Sequence, residues 1–487
     1  AHSSHPPSLD HYYFVDGPLT AADVWLGSGT GASKSAGDWK TLLIFGEGKG
    51  ARDTSGNESF LWSSSQYCDS DFGKDYSGSR HYYCGYYALD ITDTSTTPTK
   101  VFWTLKPSST QAKFLDEPWS KMGVGRVLID GNERWVGFIG GGYNTQGSED
   151  DDDRFDSGKK AKGFFVVDMQ NGNILWSYTR DDNSIMYHSL PAAPALVDSD
   201  NDGFIDTVYI GDLGGDIWRF RFCTYNQESD AVKDGGHCGI SDWAGSLLFR
   251  GESNSTSHLP IFNAPVVSKD MNYKTWILWG TGNKMDPNST DDTNKFYAVI
   301  DSDWTSTYHY DDLQDITAAG TTFSGTMHGW YIRLTGSGEK VLSDPTVFGG
   351  IATFASYTPA TGSDPCGQAG TGRLYAVAMT PTVINGVAYN PGAGALSEPA
   401  DKNSTAGGNR SLTIGAGIPT SPLISQQWAG GSTKPTSTNL FLSVSGGAGS
   451  NADLVSNTGF QGTPFAKMLQ QTVPSGLLLH WKDERVQ

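Results

Sequence analysis

At 487 residues, with a formal charge of −19, 60 glycines and aromatics at 12% of positions, the chain has the material for a large core of packed rings and short strands. The acidic balance argues against a nucleic-acid partner, which needs clustered Lys and Arg; no apolar run reaches the length of a membrane span. The opening A-H-S-S-H-P-P has neither a charged n-region nor an apolar h-region, so the chain reads as a mature fragment of something longer, with no targeting signal in view.

In chain order, an apolar strand recurs as Lys40–Gly48, Arg134–Gly142, Asp206–Asp212, Thr275–Gly282, Gly349–Tyr357 and Asn439–Gly447. After a glycine-rich loop a second strand follows, often of the form aromatic-x-Val/Ala-Asp: Tyr86–Asp90, Phe164–Asp168, Ile217–Phe220, Phe296–Asp301 and Leu374–Ala378. A further strand trails several copies, at Val101–Leu105, Ile174–Tyr178 and Trp330–Leu334, and short leading strands sit in P-A-L-V, A-P-V-V and D-P-T-V-F. Four strands per unit, repeated, predict an all-β fold: an irregular β-propeller of about six to seven blades with long inserted loops, spanning residues 1–487 as one domain. A jelly roll or stacked sandwich is the second architecture this pattern allows. The tail from Gly476 is expected to close the ring or to dock on a partner.

Five cysteines leave one unpaired. Cys68 with Cys84, and Cys223 with Cys238, bracket loops of about 15 residues, and each bridge would contribute on the order of 3 kcal/mol in the chain-entropy account. Cys366 is then the odd thiol; a fully reduced set is the alternative. The acidic run Glu149–Asp153, with Asp156 near it, reads as a solvated loop, because consecutive carboxylates cannot all face one cation; a second ion site is the alternative. The long loops Ser148–Lys162 and Pro391–Arg410 read as flexible.

The segment Asp198–Asp206, D-S-D-N-D-G-F-I-D, carries the strongest chemical signal. Carboxylates at positions one, three, five and nine around a glycine at six fit a Ca²⁺ cage, since calcium takes six to eight oxygens and a tight loop needs a sharp turn to aim them. Asp198, Asp200, Asp202, the Phe204 carbonyl and Asp206 are the expected ligands, Asp206 bidentate. Zinc would call for Cys or His, and magnesium keeps several waters. Tyr209 stands where an EF-hand places Glu, and the flanks are β-branched and aromatic, so the loop joins strands. A solvated acidic turn without an ion is the alternative.

Catalytic signatures are absent. His188, His258 and His328 are scattered, and no H-E-x-x-H, G-x-S-x-G or Cys-Cys pair occurs, so no catalytic residue is assigned and an enzyme is not expected. The tryptophans Trp176, Trp218, Trp276 and Trp279 fall at repeat positions and read as packing between blades. A quinone-dependent dehydrogenase-like propeller and a carbohydrate-binding propeller are the alternatives, the latter requiring an exposed aromatic patch.

The stretches Ala193–Phe220, Leu278–Pro287, Asp291–Asp301 and Gly329–Gly350 resemble the C-terminal propeller domain of the PilY/PilC family, the tip-associated biogenesis proteins and adhesins of bacterial type IV pili. The resemblance implies a factor at the pilus tip or outer membrane surface of a Gram-negative bacterium. Such a factor works with minor pilins to support assembly and oppose retraction in a Ca²⁺-dependent way, with host or abiotic surfaces as adhesion targets. It also implies Asp198, Asp200, Asp202, Phe204 and Asp206 as the calcium ligands. The N-terminal region of that family and an R-G-D tripeptide are missing from this chain. Whether the ion switches the protein or only holds it together stays open on the sequence.

Overall fold

The structure, a computed structural model, describes residues 15–27, 34–48, 85–93, 100–144, 159–233, 236–254, 257–360, 369–384, 387–396, 408–428 and 435–445. Strands dominate, and one α-helix, Tyr225–Lys233, is present among the described residues. It opens with a reciprocal cap in which Thr224 Oγ1 accepts from the Gln227 N–H and Gln227 Oε1 accepts from the Thr224 N–H, both at 3.1 Å.

Five sheets of four or five strands follow one another along the chain. The first pairs Leu19–Trp25, Trp39–Gly46, Tyr86–Asp90 and Lys100–Thr104 in sequence order, all antiparallel. The second pairs Gly123–Ile129, Asn132–Gly140, Gly163–Asp168 and Ile174–Thr179 in the same way. The third runs Ala195–Val197, Thr207–Gly211, Ile217–Arg221 and Ala244–Arg250, with Tyr308–His309 added in parallel at its edge. The fourth runs Val266–Lys269, Thr275–Gly280, Lys295–Asp301 and Gly329–Arg333, edged by Gln314–Asp315. The fifth runs Thr346–Phe348, Ile351–Thr358, Thr371–Ala378 and Ser411–Ala416. Each is the up-and-down four-stranded unit expected of a propeller blade. The sixth copy of the repeat falls on the hairpin Leu423–Trp428 with Pro435–Phe441.

The chain divides into two compact units. Among the described residues, one holds those up to Val208 together with Phe220–Gly245; the other holds Tyr209–Arg219 and those from Ser246 to Ser445. In the first unit a core of Val24, Leu42, Ile44, Trp103, Ile139 and Phe165 is sealed from water. In the second, Leu278, Phe296, Ile332, Phe354 and Val377 do the same. Aromatic stacking between successive sheets recurs in both. Phe164 lies flat on Phe220 at 3.9 Å, and Phe296 on Phe354 at 3.8 Å, each pair within 6° of parallel. Phe164 and Phe296 each stand second in their strand, paired with the closing glycine of the strand before it, Gly140 and Gly280, so the contact is placed twice. The packing role expected of the tryptophans holds: Trp218, Trp276 and Trp279 are buried, and half-buried Trp176 meets Phe220, Phe222 and Trp243 edge-on.

Of the expected disulfides, Cys223–Cys238 is present, with its Cα atoms 5.8 Å apart. Cys68, Cys84 and Cys366, the acidic run Glu149–Asp153 with Asp156, and the tail from Gly476 lie outside the described residues. Among the described residues no helix is long and apolar enough to cross a membrane.

Candidate metal centre

The acidic loop connects the strands Ala195–Val197 and Thr207–Gly211, as the β-rich flanks predict. Its neck is closed by the Asp206 N–H donating to the Val197 carbonyl at 3.0 Å. Two residues within it have left-handed backbone, Asn201 at φ 60° and Gly203 at φ 89°. Asn tolerates that region. At position 203 the φ of 89° favours glycine, and a Cβ there would stand 2.1 Å from an Arg126 guanidinium nitrogen, so any larger residue would displace that side chain.

Asp198, Asp200 and Asp206 converge, each offering a carboxylate oxygen within 4.8 Å of the other two. Two oxygens on one Ca²⁺, each 2.3–2.6 Å from it, lie at most about 5 Å apart, so the trio fits a shared calcium ion. All three donors are hard oxygens, with no His or Cys among them. Asp202 lies outside the trio; its Oδ1 accepts from the Phe204 N–H at 2.7 Å. Asp198 is organised by the turn itself, its Oδ2 accepting from the Gly203 N–H at 2.8 Å and its Oδ1 from the Asp202 N–H at 3.1 Å.

Asp206 is the sealed member, 1% exposed. Ser199 donates to its Oδ2 through both backbone N–H (2.6 Å) and hydroxyl (2.7 Å), and the Thr207 hydroxyl donates to Oδ1 at 2.8 Å. Burial pushes its carboxyl above the usual carboxylate range, and the neighbouring Asp200 charge pushes the same way. The Ser199 and Thr207 bonds pull it back in part. Three carboxylates this close repel one another, and a divalent cation relieves both the repulsion and the burial of charge.

The sequence pattern alone does not reveal Arg126, on the edge strand Gly123–Ile129 of the second sheet. Its Nε donates to the Gly203 carbonyl at 2.5 Å, and its guanidinium covers the Phe204 ring at 4.7 Å. The Arg126 carbonyl accepts from the Ile205 N–H at 2.8 Å. Arg126 also faces Glu133 at 3.6 Å, and Glu133 is held by Lys34 at 2.5 Å and by the Trp135 indole N–H at 3.0 Å. The loop is thus pinned at positions six to eight by a strand outside its own sheet. Nothing within the loop motif announces a partner 77 residues away.

Residues 77–329, which include the loop and most of the first four sheets, match the family described as the PilY1 beta-propeller domain. The chain is 23% identical over 403 residues to a type IV pilus biogenesis factor PilY1 homolog of Xylella fastidiosa (strain Temecula1), covering 76% of this chain and 23% of that protein. It is 24% identical over 349 residues to the type IV pilus biogenesis factor PilY1 of Pseudomonas aeruginosa (strain UCBPP-PA14), covering 69% of this chain and 22% of that one. It therefore spans about a quarter of the length of these curated relatives. Among solved structures it is similar in fold to the Pseudomonas aeruginosa PilY1 C-terminal domain, with a TM-score of 0.56 and 18% identity over 88% of this chain and 82% of that one. With the repeated four-stranded sheets, these likenesses establish that the chain belongs to the PilY1 β-propeller family.

Proposed function

We propose that this chain is the propeller of a calcium-binding type IV pilus biogenesis factor. It sits at the pilus tip or outer surface, contacts minor pilins, and acts as an adhesin that supports assembly and opposes retraction. The reading rests on membership of the PilY1 propeller family, whose relatives carry the name type IV pilus biogenesis factor. The convergence of Asp198, Asp200 and Asp206 carries its calcium dependence. The Phe204 carbonyl and Asp202 complete the proposed ligand set. Asp202 would join through Oδ2, its Oδ1 accepting from the Phe204 N–H. The protein performs no catalysis in this reading; it works by presenting surfaces.

A regulatory ion must bind two conformations of the protein with different affinity. The loop has the means, because filling the cage draws on the same turn that Arg126 holds against the second sheet. Calorimetric titration of Ca²⁺ into chelator-stripped protein, with Asp198→Ala beside it, tests the reading. One site that disappears in the variant is the expected result, and the absence of heat in the wild type would remove the calcium dependence. Unchanged pilus number and twitching in cells carrying Asp206→Ala would reduce the ion to a structural role.

A further inference from the structure

The same turn is built twice in the second unit, contact for contact. In the first copy Asp212 Oδ1 accepts from the N–H groups of Gly214 and Asp216 at 2.9 and 3.0 Å. Its Oδ2 accepts from the Trp218 indole at 2.9 Å, and its backbone bonds to Asp216 and Gly215. In the second, Asp270 Oδ1 accepts from Asn272 and Lys274 at 2.8 and 3.0 Å, Oδ2 from the Trp276 indole at 3.1 Å, and its backbone bonds to Lys274 and Tyr273. The fourth residue of this turn needs left-handed backbone. The first copy places Gly215 there at φ 87°, with the Leu259 carbonyl 2.7 Å from where a Cβ would lie. The second places Tyr273 there at φ 61°.

Tyrosine is a poor choice for that backbone, and glycine would fit it without strain. Nor does the core ask for the ring, since Tyr273 is 75% exposed. A strained, exposed aromatic on a turn clamped by a buried carboxylate is the kind of outlier that points to a ligand. Tyr273 stands on the rim of a cleft of about 1050 Å³ within this unit, lined also by Asn272, Thr275, Ser302, Ser324 and Thr326. The Trp276 and Phe323 rings meet edge-on at its floor, 5.9 Å apart, and the Phe323 N–H donates to the Pro391 carbonyl to fix one wall. The two carboxylates that line it are engaged elsewhere, Asp270 by the turn and Asp301 by Arg219 and Tyr209. Lys274 and His328 also line it.

We propose that this cleft binds a neutral oligosaccharide, with Tyr273 as the stacking platform. A sugar ring presents an apolar C–H face and a rim of hydroxyls. The cleft presents an exposed aromatic face on a turn whose backbone is held, and a wall of hydroxyl and amide groups that both donate and accept. Its volume is on the order of a small-ligand site, and the uncharged side chains of Asn272, Thr275, Ser302, Ser324 and Thr326 answer sugar hydroxyls, with Lys274 and His328 beside them. The site is separate from the acidic loop and needs no ion.

The test is a glycan array carrying neutral and acidic oligosaccharides, probed with wild type, Tyr273→Gly and Asn272→Ala, with thermal melts of each. Tyr273→Gly removes the ring while relieving the backbone, so it is expected to melt no lower than wild type and to lose neutral-glycan retention at least tenfold. Asn272→Ala keeps its backbone bond to Asp270 and is expected to weaken retention severalfold. Silence of the array with wild type, retention confined to acidic glycans, or undiminished retention by Tyr273→Gly would each overturn the proposal.

Discussion

A carboxylate sealed from water is tolerable only while something answers its charge, and Asp206 shows what this chain supplies without an ion: three hydrogen bonds from two residues. Asp206→Asn keeps that pattern, since an amide oxygen can accept from Ser199 while its NH₂ donates to the Thr207 hydroxyl. The variant sheds the buried charge and the repulsion from Asp200. It is therefore expected to melt higher than wild type in chelator and to gain nothing from Ca²⁺, while the wild type gains. A lower melting point in chelator would mean that the charge is no burden. Glu47 is a second buried acid, on the first sheet's side of the chain. Burial pushes its carboxyl up to about 8, against the pull of bonds from Tyr87 and Gly85. The native state thus keeps a proton that the unfolded chain releases near 4.5. This group's contribution is full below about 4.5 and is lost as pH rises toward about 8. Thermal melts from pH 6 to 9 should fall more steeply for wild type than for Glu47→Gln; parallel slopes would reject the assignment.

The blade strands were legible as elements, because aromatic and β-branched runs of five to eight residues between glycine-rich loops recur with the same ending, as in Phe164–Asp168 and Phe296–Asp301. The two-residue edge strands Tyr308–His309 and Gln314–Asp315 were not, since two residues carry no periodicity. Nor was the helix Tyr225–Lys233, a mostly polar segment of nine residues, too short for its periodicity to stand out. The acidic loop was legible because its carboxylates lie within nine residues, but the tie that aims it comes from a different sheet. Arg126 contributes one hydrogen bond to Gly203 and one cation–π contact with Phe204, together about 1–2 kcal/mol. Arg126→Ala should lower stability by that amount and speed amide hydrogen exchange at Gly203–Ile205, leaving the fifth sheet unchanged. Exchange that rises equally in the fifth sheet would show a global effect and no local pin.

At the scale of the molecule, repetition explains why the architecture could be read from the sequence: strands of one type recur, and two of them, Gly163–Asp168 and Lys295–Asp301, place the same Phe-on-Phe stack. Exceptions to the repeat are harder to read. Tyr273 looks like any loop tyrosine until its turn is laid beside that of Gly215. The acidic loop is another such exception, inserted between two strands of one blade, and its consequences for the whole protein follow from linkage. An ion that binds the folded chain alone must stabilise it by about 2.7 kcal/mol at a hundred times its dissociation constant. The calorimetric affinity and the denaturant midpoint are therefore not independent. Urea unfolding in chelator and at that calcium level should differ by this amount in wild type and by nothing in Asp198→Ala. Agreement would mean that the whole affinity is spent on holding the fold. A stabilisation well below the linked value would mean that the unfolded chain also binds the ion. The cage would then lack the preorganisation that Arg126 and the Gly203 turn are built to give it.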